Sequence, residues 1–411
     1  MRLAIERKRE GEELESAVWE AVIAAYMNGE IDDVQMAAMA MACVWRGLTV
    51  DEAAALTGAM VSSGATLTYP DDLFVVDKHS SGGVSDIVSL VAVPLVASCG
   101  VPVAKLSGRA LGHTGGTIDK LETIAGYNIA PAMDEFVRQV ETVGCAIAAQ
   151  TESFVPADRR IYKLRDRTGT VPSTGLIAAS IVSKKLAGGA KAFVFDVKCG
   201  SAAFMRDANA ARDLGKVLVD ISARFGRKAH AVVTDMNEPL GRWIGTGVEV
   251  IEACNLLRGT EVDARAREGC LRIAGEMLEV AGVSNSQTVA KKALEDGSAY
   301  EKFTAMVHAQ GGDVAAMASM KPSKLAYEVV APQGGYVGAI DAVALGNIAR
   351  ELSDHDSHAG LRVEVRVGDR VAAGVPLVRV YGADVARVRL EKAFMIGAAE
   401  PAPRPLVYAV I

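Results

Sequence analysis

The stretch Asp77-Lys78-His79-Ser80-Ser81-Gly82-Gly83-Val84-Ser85-Asp86 constrains this chain more than any other. Before it, Leu73 to Val76 reads as a short apolar strand. After it, Val84 to Cys99 is apolar nearly all round, as a buried helix is. The stretch therefore reads as a strand-loop-helix junction carrying a cation, an imidazole, hydroxyls and glycines. Glycines let backbone approach a ligand, and unpaired N–H groups at a helix start favour anions. Lys78 adds a point charge, and Ser80 and Ser81 add donors. The local expectation is an anion site, and phosphate suits it best.

A second stretch repeats this chemistry. Val101 to Leu106 reads as a strand, followed by Ser107-Gly108-Arg109-Ala110-Leu111-Gly112-His113-Thr114-Gly115-Gly116-Thr117. From Thr117 the spacing of Ile118, Leu121 and Ile124 is helical. Two glycine-rich turns after consecutive strands lie side by side at the carboxyl edge of one sheet, where open α/β sheets bind ligands. Arg109 has two readings, a phosphate ligand or a partner of Asp119 or Glu122. His113 reads as a brace for its own turn.

At 411 residues the prior is two or three domains, and 50% apolar with 23% charged residues fits a globular chain. The net charge of -6 gives no basic surplus for nucleic acid, so any phosphate site is local. Met1 to Glu15 is heavily charged and does not read as a signal peptide. The longest apolar run, Ile87 to Ala97, contains Ser89 and Pro94 and is too short to span a bilayer. Six scattered cysteines without a CxxC pair fit a reduced, cytoplasmic protein. Cys199 beside Lys198 reads as packing, and the histidines show no metal-ligand spacing.

Residues 2–64 read as helices. Leu14, Val18, Val22 and Tyr26 keep helical spacing, Asp32 or Asp33 caps the next helix, and Thr49 with Glu52 makes a capping box. Strand candidates at 73–76, 102–106 and 146–150 alternate with helices, which argues for a parallel sheet. Residues 156–187 return to helix and are expected to rejoin the front helices. Ala192 to Val197 and His230 to Thr234 read as further strands. From about Leu325 the texture turns to period-2 alternation with Gly/Pro turns. The expected fold is α/β. A helical lobe (1–66 and 156–187) accompanies a larger α/β lobe with a mostly parallel central sheet (70–155 and 188–325). A small β-rich C-terminal subdomain (326–411) completes it.

The two glycine-rich stretches resemble the pyrimidine-nucleoside phosphorylase and thymidine phosphorylase family. So do Tyr162 through Arg165 and Asp166, Ser180 through Lys185, Asp196-Val197-Lys198-Cys199-Gly200-Ser201 and Asp235-Met236-Asn237-Glu238-Pro239-Leu240-Gly241. The resemblance covers nearly the whole chain. It implies a homodimer joined through the helical lobe, with phosphate on the α/β side and the pyrimidine nucleoside on the helical side. It implies reversible phosphorolysis, in which phosphate attacks C1′ and the base leaves. Inorganic phosphate is then a co-substrate, and no organic cofactor, nucleic acid or membrane is involved. The family pattern gives phosphate binding to Lys78, Ser80, Ser81, Ser89, Lys105, Ser107 and Thr117. It gives the base to Arg165, Ser180, Lys184, Tyr162, Thr174 and Leu111, and catalysis to His79, Arg165 and Lys184. Negative charge grows on the leaving base, so donors aimed at it are needed, and preorganised electrostatics usually supply the largest catalytic effect. Ser180 and Lys184 are four apart and share one helix face. His79, the group that titrates nearest neutrality, is expected to give a proton or hydrogen bond to the base oxygen.

The chain also departs from the pattern. The family has Gly where Ser85 stands, and Lys-Thr where Ile87-Val88 stands. That Thr helps bind potassium in the bacterial branch. Val88 has no side-chain oxygen, which speaks against a metal near Ser85, although Glu249 falls at a matching acidic position. Ser173-Thr174-Gly175-Leu176 replaces Ser-Ile-Pro-Leu beside the base, which bears on base preference. Lys105 resembles the broader pyrimidine branch. Two rivals remain at this stage. An anthranilate-type phosphoribosyltransferase would need acidic residues for magnesium, which the first loop lacks. A non-catalytic binder has no reason to keep Lys78, His79, Arg165 and Lys184.

Overall fold

The computed structural model describes residues 1–110, 112, 115–383 and 387–411, apart from the side chains of Arg387 and Val388. Four helices open it: α1 (Arg2–Glu10), α2 (Ser16–Met27), α3 (Asp33–Arg46) and α4 (Val50–Val61). Their caps are those the sequence announces. Asp32 accepts from the Gln35 N–H at 2.8 Å, and Thr49 and Glu52 close a reciprocal box. A buried pair, Lys8 to Glu52 at 2.6 Å, ties α1 to the start of α4.

The α/β part begins with β1 (Val76–Ser80), α5 (Val88–Ser98), β2 (Val103–Ser107), α6 (Thr117–Leu121), α7 (Met133–Val143) and β3 (Cys145–Ala149). Helices α8 (Pro156–Thr168) and α9 (Thr174–Ala187) then leave the sheet and pack on α2, α3 and α4. The chain returns through β4 (Ala192–Cys199), α10 (Ala208–Arg224), β5 (Lys228–Asp235), β6 (Trp243–Ile244), α11 (Gly247–Arg258) and α12 (Ala264–Val280). Helices α13 (Ser286–Glu295), α14 (Ser298–Ala309) and α15 (Val314–Ala318) finish this layer.

Strand β1 starts three residues later than the sequence texture suggests, so Asp77, Lys78, His79 and Ser80 lie in the strand itself. Buried partners make this tolerable: Asp77 meets Lys185 at 2.6 Å and Lys78 meets Asp196 at 3.3 Å. Helix α5 starts at Val88 rather than Val84, because Ser85 takes a left-handed conformation (φ 57).

The central sheet runs β13-β5-β4-β1-β2-β3, where β13 (Val407–Val410) is antiparallel to β5 and the other pairings are parallel. Two apolar cores flank it. Val76, Val194 and Val232 face α5, α12 and the C-terminal elements, whereas Val75, Phe193, Phe195 and Val233 face the helical lobe.

The C-terminal part holds β7 (Leu325–Val330), β8 (Gly335–Ile340), α16 (Ala342–Ser353), β9 (Gly360–Val363), β10 (Arg370–Val371), β11 (Pro376–Tyr381), α17 (Arg387–Glu391) and β12 (Phe394–Gly397). They form sheets β10-β8-β12 and β6-β9-β11-β7. Two strands pair across the expected boundary at 326. Strand β6 is lent to the C-terminal part, and β13 goes back to the central sheet.

Candidate active site

The order β3-β2-β1-β4-β5 reverses direction between β1 and β4. Ligands in open α/β sheets gather at that reversal, outside the carboxyl ends of the strands. Here those ends carry Lys78, His79 and Ser80 from β1 and Asp196 and Lys198 from β4. Strand alternation sends neighbours to opposite faces. Lys78 shares the face of Val76 and reaches Ser89 of α5 at 3.4 Å. Asp77 shares the face of Val75 and reaches Lys185 of α9. His79 is on that second face, toward the helical lobe.

On the α5 face the charges form a closed network. Asp196 receives Lys198 at 2.8 Å, Lys78 at 3.3 Å and the Thr234 hydroxyl at 2.6 Å. Lys198 also approaches Asp86 at 3.7 Å, and Ser80 donates to Asp86 at 2.8 Å. Burial opposes ionisation of Asp86, yet Lys198, Lys78 and Lys120 hold its carboxyl far below the usual range. The Ser81 hydroxyl accepts from the Lys198 backbone N–H at 2.8 Å. Ser107 ends β2 and Thr117 opens α6, so both stand at the same sheet edge. Lys105 has no carboxylate in ion-pair range among the described residues. Burial first, then Lys185 and Lys78, push its ammonium well below the usual lysine range.

The same crowding governs His79. Burial, then Lys185, Lys105, Lys184 and Lys78, depress its imidazole well below 6.5. That direction favours the neutral ring at neutral pH. Of the two alternatives the sequence leaves open, a proton or a hydrogen bond to the base, that direction favours the hydrogen bond.

On the helical side, Ser180 and Lys184 stand one turn apart on α9, and the Lys184 ammonium donates to the Ser180 hydroxyl at 2.9 Å. Lys184 also pairs with Asp158 of α8 at 2.8 Å and lies 5.9 Å from the Tyr162 ring. Thr174 is exposed at the first position of α9. Arg165 is 2% exposed, and its Nε, Nη1 and Nη2 donate to the carbonyls of Thr170, Leu176 and Val171. Its first job is thus to brace the α8–α9 turn; two of its five N–H groups remain. Leu111, expected beside the base, lies outside the described residues, as does His113.

The second glycine loop resolves the two readings of Arg109. Its guanidinium bonds Asp119 at 2.8 Å and Glu122 at 2.6 and 3.0 Å, so it staples the loop to α6. Gly116 is required there, because a Cβ would stand 2.3 Å from the Ala110 nitrogen. Glu249, the acid matched to a potassium site, already holds the Lys120 ammonium at 2.6 Å. Burial raises its carboxyl despite Lys120. The Ser85 hydroxyl is spent on the Trp243 carbonyl, and the residue is buried. These residues do not fit a potassium ion, since an ammonium already sits on the carboxylate.

Asp158, Lys185, Asp196 and Lys198 were not singled out for the site by sequence reasoning. The last two had a signal, a polar alternation within the otherwise apolar β4. Asp158 had none, since an acid in a first helical turn is ordinary.

A family model described as "Glycosyl transferase family, a/b domain" matches residues 73–300, and one described as "Glycosyl transferase family, helical bundle domain" matches residues 2–64. A model described as "Predicted membrane protein (DUF2254)" matches residues 284–404, although no helix among the described residues is long and apolar enough to cross a membrane. The chain is 44% identical to the pyrimidine-nucleoside phosphorylase of Geobacillus stearothermophilus over 92% of its length and 90% of that protein. It is 43% identical to the thymidine phosphorylase of Mycobacterium tuberculosis over 98% and 96%. Its fold matches the crystal structure of anthranilate phosphoribosyltransferase from Thermus thermophilus with a TM-score of 0.61, at 21% identity, over 75% of this chain and 99% of that one.

Proposed function

The chain belongs to the pyrimidine-nucleoside phosphorylase and thymidine phosphorylase family, and from that premise we propose that it catalyses reversible phosphorolysis of pyrimidine nucleosides. Free base and a pentose 1-phosphate are the products. The observation that carries the reading is the opposition of two electrostatic environments. The end of β1 gathers Lys78 and Ser89 near Lys105, and Lys184 of α9, bonded to Ser180, is close enough to act on the His79 imidazole of that strand.

In this reading phosphate binds at the sheet edge against Lys78, Ser80, Ser89, Lys105, Ser107 and Thr117. Its oxygen attacks C1′ as the bond to the pyrimidine nitrogen breaks. Positive charge builds on the sugar and the electron pair goes to the ring. Lys184 and Ser180 accept that charge through N–H and O–H donors aimed at the ring oxygens, and neutral His79 adds a further N–H. Donors already in place cost no reorganisation when the charge arrives. Arg165 holds the turn that presents Thr174, and Tyr162 walls the same side. The reading gives potassium no role, since the Lys120 ammonium pairs with Glu249 at 2.6 Å.

Homodimer formation through the helical lobe is supported by an uncovered apolar stripe. Val34, Met41 and Trp45 of α3 are 76%, 48% and 79% exposed, and Leu3 of α1 is 69% exposed. The six cysteines are all free, in keeping with a cytoplasmic location.

The test is a panel of uridine, thymidine, deoxyuridine, cytidine and purine nucleosides, each with and without phosphate, magnesium and potassium. Pentose 1-phosphate should form from the pyrimidine nucleosides only when phosphate is added, at rates indifferent to either metal. A strict magnesium requirement with pyrophosphate release would point to the phosphoribosyltransferase instead.

A further inference from the structure

We infer that Asp158 is a positioning residue for catalysis: its buried carboxylate fixes the Lys184 ammonium on the leaving base. The inference rests on the base-side role given above to Lys184.

The carboxylate is 3% exposed and lies 2.8 Å from Lys184 Nζ, whose own side chain is 25% exposed. A lysine carries three N–H donors on a flexible stem. Asp158 takes one and the Ser180 hydroxyl takes a second at 2.9 Å. The third has no partner among the described residues and is left for a ligand. Without Asp158 the long stem has one anchor and several rotamers. With it, the ammonium is held at a single point.

The backbone puts unusual effort into placing this one acid. Helix α8 begins after Val155, a β-branched residue in the left-handed region (φ 44). Such a conformation is strained for a β-branched residue and persists only where the surroundings impose it. They do so here through a tight joint to the helical lobe. The Ser63 hydroxyl accepts from the Ala157 N–H at 3.2 Å, and the Ala65 N–H donates to the Ser153 carbonyl at 2.9 Å. A Cβ on Gly64 would stand 2.4 Å from both Pro156 Cδ and that carbonyl, so the two segments touch as closely as backbone permits. Asp158 comes three residues after the strained position, in the first turn of α8.

Charge balance gives the second reason. Asp158 also acts on Arg165, offsetting part of the burial that depresses that guanidinium, and it acts on the Tyr162 phenol. It is thus the buried acid that lets two cations stand near one another. One positive charge remains to meet the electrons arriving on the ring.

The test compares Asp158→Asn with the parent enzyme on uridine and on 5-fluorouridine, whose base is the better leaving group. Lys184→Met alone measures the role on which the inference depends. If that variant keeps full rates, the base-side reading fails whatever Asp158 does. Given a slow Lys184→Met enzyme, Asp158→Asn should lower kcat on uridine 10- to 100-fold. The loss on 5-fluorouridine should be several-fold smaller, and the KM for phosphate should stay within twofold. Equal losses on both nucleosides, or a matching rise in the phosphate KM, would show a merely structural residue and overturn the inference. If the single variant folds poorly, the Asp158→Asn, Lys184→Met double variant restores charge neutrality. Activity equal to that of Lys184→Met alone supports the inference, and a further tenfold drop overturns it.

Discussion

The sheet edge and the helical side handle positive charge in opposite ways. At the sheet edge Lys78 and Lys198 are fully buried and share Asp196, inside a network closed by Asp86, Ser80 and Thr234. On the helical side Lys184 reaches solvent and has a single acid, Asp158. The first arrangement makes a rigid receptacle whose cations cannot move without unfolding their surroundings. The second leaves a cation with one donor free and water within reach. A nucleophile has to be held still, whereas a leaving group needs a charge that strengthens its grip as the bond breaks. The contrast suits those two duties.

The strongest way to break the contrast is to remove the acid from each side. Asp196→Ala leaves two buried ammonium groups without their shared carboxylate. Loss of one partner from a buried pair costs roughly 3–5 kcal/mol. Against a typical stability of about 5–15 kcal/mol, the urea midpoint should fall steeply. Asp158→Ala should cost only about 1 kcal/mol in the same titration, because Lys184 can turn to solvent. Equal shifts in the two variants would erase the distinction.

A smaller effect is expected in rate. Lys184→Met should lower kcat by roughly 10²- to 10³-fold, the size seen when one donor to a developing anion is lost. Its urea midpoint and phosphate KM should stay close to those of the parent. Lys78→Met should instead fail on phosphate affinity and on stability together, since Asp196 would lose one of its two ammonium partners.

Protonation separates the two environments more gently. The folded His79 has its pKa depressed by burial and four lysines. Below about pH 6.5 the unfolded chain takes up a proton that the folded chain refuses, so stability falls as pH falls through that window. His230 behaves the other way. Its bond to Glu276 at 2.7 Å raises its pKa. Its contribution is fully present below about 6.5 and is lost as pH rises through the folded value. His79→Gln should therefore flatten the acid limb of a melting profile, and His230→Gln should destabilise at pH 6 while leaving pH 8 unchanged. The kcat of the parent should show no His79 step between pH 6.5 and 8, because that ring is already neutral.

Much of this contrast was legible in the residues, and the part that was not has physical reasons. Helical period, an aspartate cap before α3 and one capping box before α4 gave α2, α3 and α4, because amphipathic helices advertise themselves locally. The start of β1 was misplaced because Asp77 and Lys78 are polar, and their burial depends on Lys185 and Asp196, more than a hundred residues away. The order of the sheet strands, which creates the crevice, is a long-range property. Helix α16 inside the β-rich part was hidden by the surrounding alternation. The base-side lysine was recognisable from its motif, but its acid was not. A carboxylate in a first turn looks the same whether it faces water or a neighbouring lysine.

The finest test of the contrast lies at Ser85, in the loop that follows β1. Its φ of 57 is unfavourable for any residue with a side chain, by about 1–2 kcal/mol. A glycine would carry no such strain there. This chain keeps a hydroxyl there instead, and it donates to the buried Trp243 carbonyl. A buried hydrogen bond is worth about 0.5–1.5 kcal/mol. The two terms nearly offset, so Ser85→Gly should move the urea midpoint by less than about 1 kcal/mol of stability in either direction. Ser85→Ala keeps the strained backbone and loses the hydrogen bond, so it should be the less stable of the two. If alanine proved as stable as glycine, the left-handed turn would carry no strain, and the loop would owe its shape to Asp86 and its lysines rather than to residue 85.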